Sequence, residues 1–284
     1  MAKSKLWAKF PHDAKGFDYS ADKLEKNWAK LHAGDCEPFP DETRVSAVLK
    51  AIPKLAKVSE AASIASALQQ AWRDYHRGDF HAAFTAGEAL GPLGVSVAVK
   101  AGGIHAVYLL DDEAEQLQRF EALNAMAEAA CKVLPDEINA HYRRAFALGR
   151  YSQGISIAKA LSQGYAGKVR ESLDRTLKLA PKHAEAHTAL GLYHCEVVSK
   201  VGGMLAGLTY GAKASTGEDL LKAAIKLTPD SPIAHIEFGN GLMLLHGSKR
   251  EDDAAAAYEK AAKLKPKDAM EKLDVEYAKA QLED

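Results

Sequence analysis

Three cysteines, Cys36, Cys131 and Cys195, are an odd count with neither a CxxC pair nor zinc-ribbon spacing. That excludes a disulfide framework and points to reduced, buried thiols in a cytoplasmic protein. No GxSxG, HExxH or Walker sequence occurs, and the glycine-rich VGGMLAGLTYG lacks the GK[ST] of a phosphate loop, so nothing indicates an enzyme, a nucleotide or another cofactor. Neither sign of charge is in excess. Lys plus Arg number 37 and Asp plus Glu 38, which removes a global electrostatic case for nucleic acid or an anionic membrane and leaves room only for a local basic patch. Long apolar runs are missing too. The nearest approach to a membrane span, Ala89 to Leu110, is interrupted by Pro92, Lys100 and His105 and reads as buried helix. The N-terminal twenty residues start basic but never reach the apolar stretch of a secretory signal.

What is present is helical periodicity in a repeating frame. Between Pro181 and Pro232, His187, Leu190, Gly191 and His194 stand three and four residues apart and share one helical face, with Gly191 leaving room for a second helix. Ala224 offers a matching gap on that second helix, alongside Leu221. Pro229 ends it, Asp230 or Ser231 can cap the next, and Pro232 suits a first turn. The same offsets recur. Leu123, Ala127 and Ala130 precede Pro135 as Gly217, Leu221 and Ala224 precede Pro229, and Val169, Leu173 and Thr176 precede Pro181. The last unit reads His235-x-x-Phe238-Gly239-x-x-Leu242, then Ala254, Tyr258 and Ala261 before Pro266, and is followed by an amphipathic helix from Ala269 to about Leu282 that reads as a solubilising cap.

Upstream, Trp28, His32, Gly34 and Asp35 recur as Trp72, His76, Gly78 and Asp79, 44 residues later. This repeat predicts that residues 1–58 hold a tail and one divergent hairpin, whose second helix covers Thr43 to Lys57 with a bend or break at Pro53. Residues 59–284 then form a continuous array: Leu68, Ala71, Trp72 and Tyr75 pair with Phe80, Ala83, Phe84 and Leu90 across Gly78-Asp79, and an apolar helix after Pro92 pairs with an amphipathic one ending at Pro135. The prolines at 92, 135, 181, 229 and 266 are spaced by 43, 46, 48 and 37 residues. The excess over a repeat of about 34 falls between first and second helices, as inserts at Gly149–Lys168 and Ser199–Gly217.

These motifs resemble the tetratricopeptide repeat superfamily, from about Lys23 to the C-terminus and most strongly after Ile138. The resemblance implies an all-α solenoid of about six antiparallel hairpins plus a capping helix, with first helices lining a concave face that binds peptides of other proteins. His141, His187 and His235 stand where the family has a large aromatic. More loosely, the GGMLAGLTYGA insert followed by EDLLKAAIKL is similar to divergent repeat proteins such as regulators of microtubule dynamics and the T-component of TRAP-type transporters. The T-component is an exported lipoprotein, and neither a signal nor a lipidation cysteine is expected here.

The family's positions for binding a C-terminal carboxylate carry Asn139, Tyr142, Phe146, Glu185, Thr188, Leu192, Ile233, Ile236 and Asn240, and only Asn240 is of a matching type. The expected binding surface is therefore more apolar, comprising Tyr142, Phe146, Arg150, Tyr151, Thr188, Leu192, Tyr210, Ile236 and Asn240. A protein or peptide, or a second copy of the chain, would occupy it. An alternative is a small apolar molecule enclosed by the inserts around Tyr151, Tyr165, Met204 and Tyr210. His183, His187, His194 and Cys195 have ligand-like spacing, but His187 and His194 fall on packing positions, so no metal is expected. Glu251, Asp252 and Asp253 read as the dipole-complementing start of a helix rather than as catalytic acids.

Overall fold

The computed structural model describes residues 7–55 and 60–283. Among these residues every regular element is helical. The chain divides into two compact units, Met1–Trp28 with Pro38–Ile155, and Ala29–Glu37 with Ser156–Asp284.

The first unit holds most of α1 (Lys23–Leu31), then α2 (Glu42–Ala51), α3 (Ala61–Arg77), α4 (Phe80–Ala89), α5 (Val95–Leu109), α6 (Glu113–Val133) and α7 (Ile138–Gln153). From α2 onward each helix packs on the next in sequence. The expected helix over Thr43–Lys57 ends at Ala51, and Pro53–Leu55 makes a separate 3-10 turn, because proline cannot supply the N–H that continues the helix. Residues 56 and 57 of that expectation lie outside those described. The apolar helix after Pro92 is α5, and most of its surface is buried inside this unit. Gly103 is the reason it can sit so deep. A Cβ there would lie 2.2 Å from the Phe146 ring, so the glycine is the socket for a side chain of α7.

Trp28, the one residue of the first tryptophan motif in this unit, meets the second motif here. Trp28 and Trp72 pack edge to face at 5.7 Å, His76 stacks on Trp72, and Trp72 and Tyr75 are fully buried. The N-terminal tail also packs here, which the sequence patterns did not indicate. Phe10 lies against Gly78, a left-handed residue with φ 94° that ends α3. Trp7 stacks on His81 at 5.0 Å and meets the tilted His105 ring at 4.3 Å, and the Arg119 guanidinium covers the indole at 4.1 Å.

The second unit contains α8 (Ile157–Ser162), α9 (Tyr165–Leu179), α10 (Ala184–Val201), the short α11 (Gly203–Leu205), a π-helical turn at Ala206–Tyr210, α12 (Ala214–Leu227), α13 (Pro232–His246), α14 (Glu251–Ala262) and α15 (Ala269–Glu283). The inserts are thus largely helical. α10 runs on to Val201, and α9 begins at Tyr165, three residues before the expected start. Packing joins α9 to α10, α10 to α12 and α13, α13 to α14, and α15 to both α13 and α14.

Close backbone approach holds these pairs, as the glycine and alanine frame predicted. A Cβ on Gly191 would sit 2.8 Å from Leu221 Cγ and 3.0 Å from the Gly217 carbonyl oxygen, and one on Gly217 would meet Cys195 Sγ at 2.8 Å. The residues at the recurring offsets are buried: Leu123, Ala127 and Ala130 in α6, Leu173 and Thr176 in α9, Leu221 and Ala224 in α12, and Ala261 in α14. Each proline turn follows a capping residue, Leu134, Ala180 or Thr228, whose N–H still reaches the carbonyl four residues back. Ser231 takes the N-cap position before Pro232, but its side chain makes no capping bond.

The histidines at the aromatic positions have a common partner. Nε2 of His141, His187 and His235 lies 2.9 Å from the carbonyl oxygen of Pro135, Pro181 and Pro229 respectively, each six residues earlier. A carbonyl only accepts, so each ring carries its proton on Nε2 and donates it. Each histidine therefore ties its helix to the turn before it, which a phenyl ring cannot do.

Two consequences can be measured. Gly191→Ala should lower stability in urea denaturation by about 1–3 kcal/mol through overpacking, whereas Gly203→Ala, with nothing within 4 Å of the added carbon, should leave the midpoint unchanged or slightly raised. His105 is 2% exposed, and burial first, then the Arg119 charge, push its pKa down to about 4. Its folded pKa lies below the unfolded value, so the stability it permits is complete above about pH 6.5 and is lost as pH falls toward 4. In thermal melts between pH 7 and pH 5, His105→Phe should lose less of its melting temperature than the natural chain does.

Candidate interaction surface

Of the residues expected on the binding face, the first unit places Tyr142 and Tyr151 among its buried side chains, with the Arg143 guanidinium 5.0 Å from the Tyr142 ring. Phe146 fits over Gly103 and meets Phe120 edge to face at 6.0 Å, so its ring is spent on packing α7 against α5 and α6. Arg150 is half-buried.

In the second unit Thr188 is buried, its hydroxyl donating to the Ala184 carbonyl at 3.2 Å. Ile236 is 1% exposed and packs on Ala261 and Ala278, because residues of α14 and α15 cover the face of α13 that was expected to look outward. Leu192 and Asn240 remain half-buried. Asn240 is held in place: its amide donates to Glu237 Oε2 at 2.7 Å and its oxygen accepts from the Tyr258 hydroxyl. The Tyr210 carbonyl accepts from Arg170 and, at 3.3 Å, from the Tyr193 hydroxyl.

The side chains left most open are different ones. Met204 and Leu208 are each 83% exposed and Leu205 50%, on the insert between α10 and α12, and Met243 and Leu244 are exposed on α13. Met204, expected among the side chains enclosing a small molecule, is thus open within the second unit. Asn240, Met243 and Leu244, at positions i, i+3 and i+4, form one stripe on α13. The glycines bracketing Met204 through Leu208 were the only hint in the sequence that these residues would project instead of pack.

The histidine and cysteine group of α10 does structural work. His183 Nδ1 accepts the Ala186 N–H at 3.0 Å as an N-cap, His187 holds the Pro181 carbonyl, and His194 Nδ1 accepts the Lys213 N–H at 3.1 Å. Among the described residues no three His, Cys, Asp or Glu side chains converge as a metal site. Burial pushes the Cys131 thiol up to about 11 and Cys195 to about 12, leaving both protonated and unreactive at neutral pH. Glu218 and His246, 2.7 Å apart, join α12 to α13, and the imidazole holds the carboxyl below its usual range. Glu251, Asp252 and Asp253 occupy the first turn of α14.

A family model described as regulator of microtubule dynamics protein 1-3 matches residues 101–202, fewer than half of the chain. No curated protein matches. Among solved structures, the crystal structure of a thermophilic tetratricopeptide-repeat protein from Thermus thermophilus aligns with a TM-score of 0.54 and 19% identity, covering 77% of this chain and 99% of its own. Hairpins stacked through glycine and alanine contacts, proline-ended second helices and this structural match agree: the chain has the all-α fold of a divergent tetratricopeptide-like repeat protein.

Proposed function

We propose that the protein is a non-enzymatic, cytoplasmic scaffold whose first-helix surfaces bind another protein. The fold supports this in kind, since hairpin arrays of this type commonly serve protein binding. The observation that carries it is the α13 stripe. Met243 and Leu244 are large apolar side chains left open on a first helix, next to an Asn240 whose amide is already oriented by Glu237 and Tyr258. Leu192, half-buried on the adjoining first helix α10, extends the apolar character. Oriented polar groups beside open apolar ones are what a peptide needs for both register and affinity. His183 caps α10, His235 holds the Pro229 carbonyl and Glu218 pairs with His246, so these groups serve the packing of helices.

The test is affinity capture from native lysate with the natural chain beside Leu192→Glu/Met243→Glu and Met204→Ser/Leu208→Ser. A specific co-purifying protein should be lost, at least tenfold, with the first pair and kept with the second. Equal recovery with all three forms would remove the first-helix surface from this reading.

A further inference from the structure

The insert between α10 and α12 is built to hold apolar side chains outward. Its base is fixed. Ala206 and Ala212 are fully buried, the Ala212 N–H donates to the Ala206 carbonyl at 3.0 Å, Arg170 and Tyr193 hold the Tyr210 carbonyl, and the Lys213 N–H donates to His194. From that base Met204, Leu205 and Leu208 project, and nothing lies within 4 Å of a carbon added at Gly202 or Gly203. A flexible loop would be free to fold such side chains back against the protein. The pinned base and the π-helical turn keep them out.

The two segments that build this prong and its base are rich in cations, although Lys200 pairs with Glu196 at 3.4 Å and Arg170 lies 3.5 Å from Asp174. Between Glu196 and Glu218 there is no acidic residue, only Lys200 and an exposed Lys213. The stretch that leads into α9 is also free of acid from 156 to 170 and carries Lys159, Lys168 and Arg170, and Arg170 is the side chain that clamps Tyr210. In a chain whose charges cancel overall, these two segments carry five cations, of which Lys159, Lys168 and Lys213 are exposed. We infer that the prong docks on an anionic lipid bilayer, with Met204, Leu205 and Leu208 entering the interface and Lys159, Lys168 and Lys213 facing the headgroups. Its convexity selects a bilayer over a peptide. Side chains open on nearly all sides provide no groove to seat a partner's side chains, whereas a fluid interface closes around a projecting apolar tip. The inference is independent of protein binding on α13, which uses other residues.

Vesicle flotation tests it, with neutral phosphatidylcholine vesicles against vesicles containing about 30 mol % phosphatidylserine at low salt. The natural chain should float with the anionic vesicles and at least about tenfold less with the neutral ones. Met204→Ser/Leu208→Ser should lower anionic binding by about tenfold or more, and Lys168→Glu/Lys213→Glu should lower it and remove its dependence on salt. Circular dichroism melts of the serine variant should match the natural chain, since neither side chain is packed. Absence of binding to anionic vesicles would overturn the inference, as would binding that survives the serine substitutions. So would light scattering that shows a dimer abolished by those substitutions while vesicles recover no protein.

Discussion

Gly191 and Gly217 set the distance between α10 and α12, and most of the second unit follows from that distance. Each glycine lies within van der Waals reach of the other's carbonyl, so the two backbones touch where side chains would ordinarily separate them. The closeness brings Leu221 and Cys195 into the same layer, and Gly241 of α13 completes it, since a Cβ there would meet Leu221 Cδ1 at 2.4 Å. Three helices thus share one leucine. Interior packing at this density tolerates little added volume, which is why small residues recur at fixed distances from each closing proline.

The proline turns carry the second constraint. A proline ends one helix, leaves its own carbonyl without a helical partner, and must deliver the chain into the next helix at a defined angle. His141, His187 and His235 meet that carbonyl with a ring N–H and so join the turn to the helix it introduces. At a position where a phenyl ring would contribute burial alone, imidazole contributes burial and a hydrogen bond. In the first unit the tail adds a comparable device, with Phe10 seated on Gly78 and Trp7 layered among His81, His105 and Arg119.

Surfaces divide according to what the packing leaves over. Side chains at the expected binding positions are spent on packing or on their own helix: Phe146 on α5, Ile236 on α14 and α15, Thr188 on its own helix carbonyl. What projects comes from positions outside the repeat frame, the α13 stripe at Met243 and Leu244 and the prong at Met204 and Leu208. A binding role assigned by family position alone therefore overestimates the buried residues and passes over the open ones.

The residue pattern by itself determined the helical class, the pairing of helices, the glycine contact at Gly191, the break near Pro53 and the capping helix from Ala269, because helical period and proline punctuation are local properties written three and four residues apart. It could not show that the inserts are largely helical, that histidines clasp the proline carbonyls, or that Trp7 and Phe10 pack against α3 to α6, since each depends on partners brought together from distant or differently phased segments. Which face of α13 stays open was also decided only by tertiary structure. The helix is apolar nearly all round, so its own sequence does not choose, and the arrival of Ala261 and Ala278 over Ile236 does.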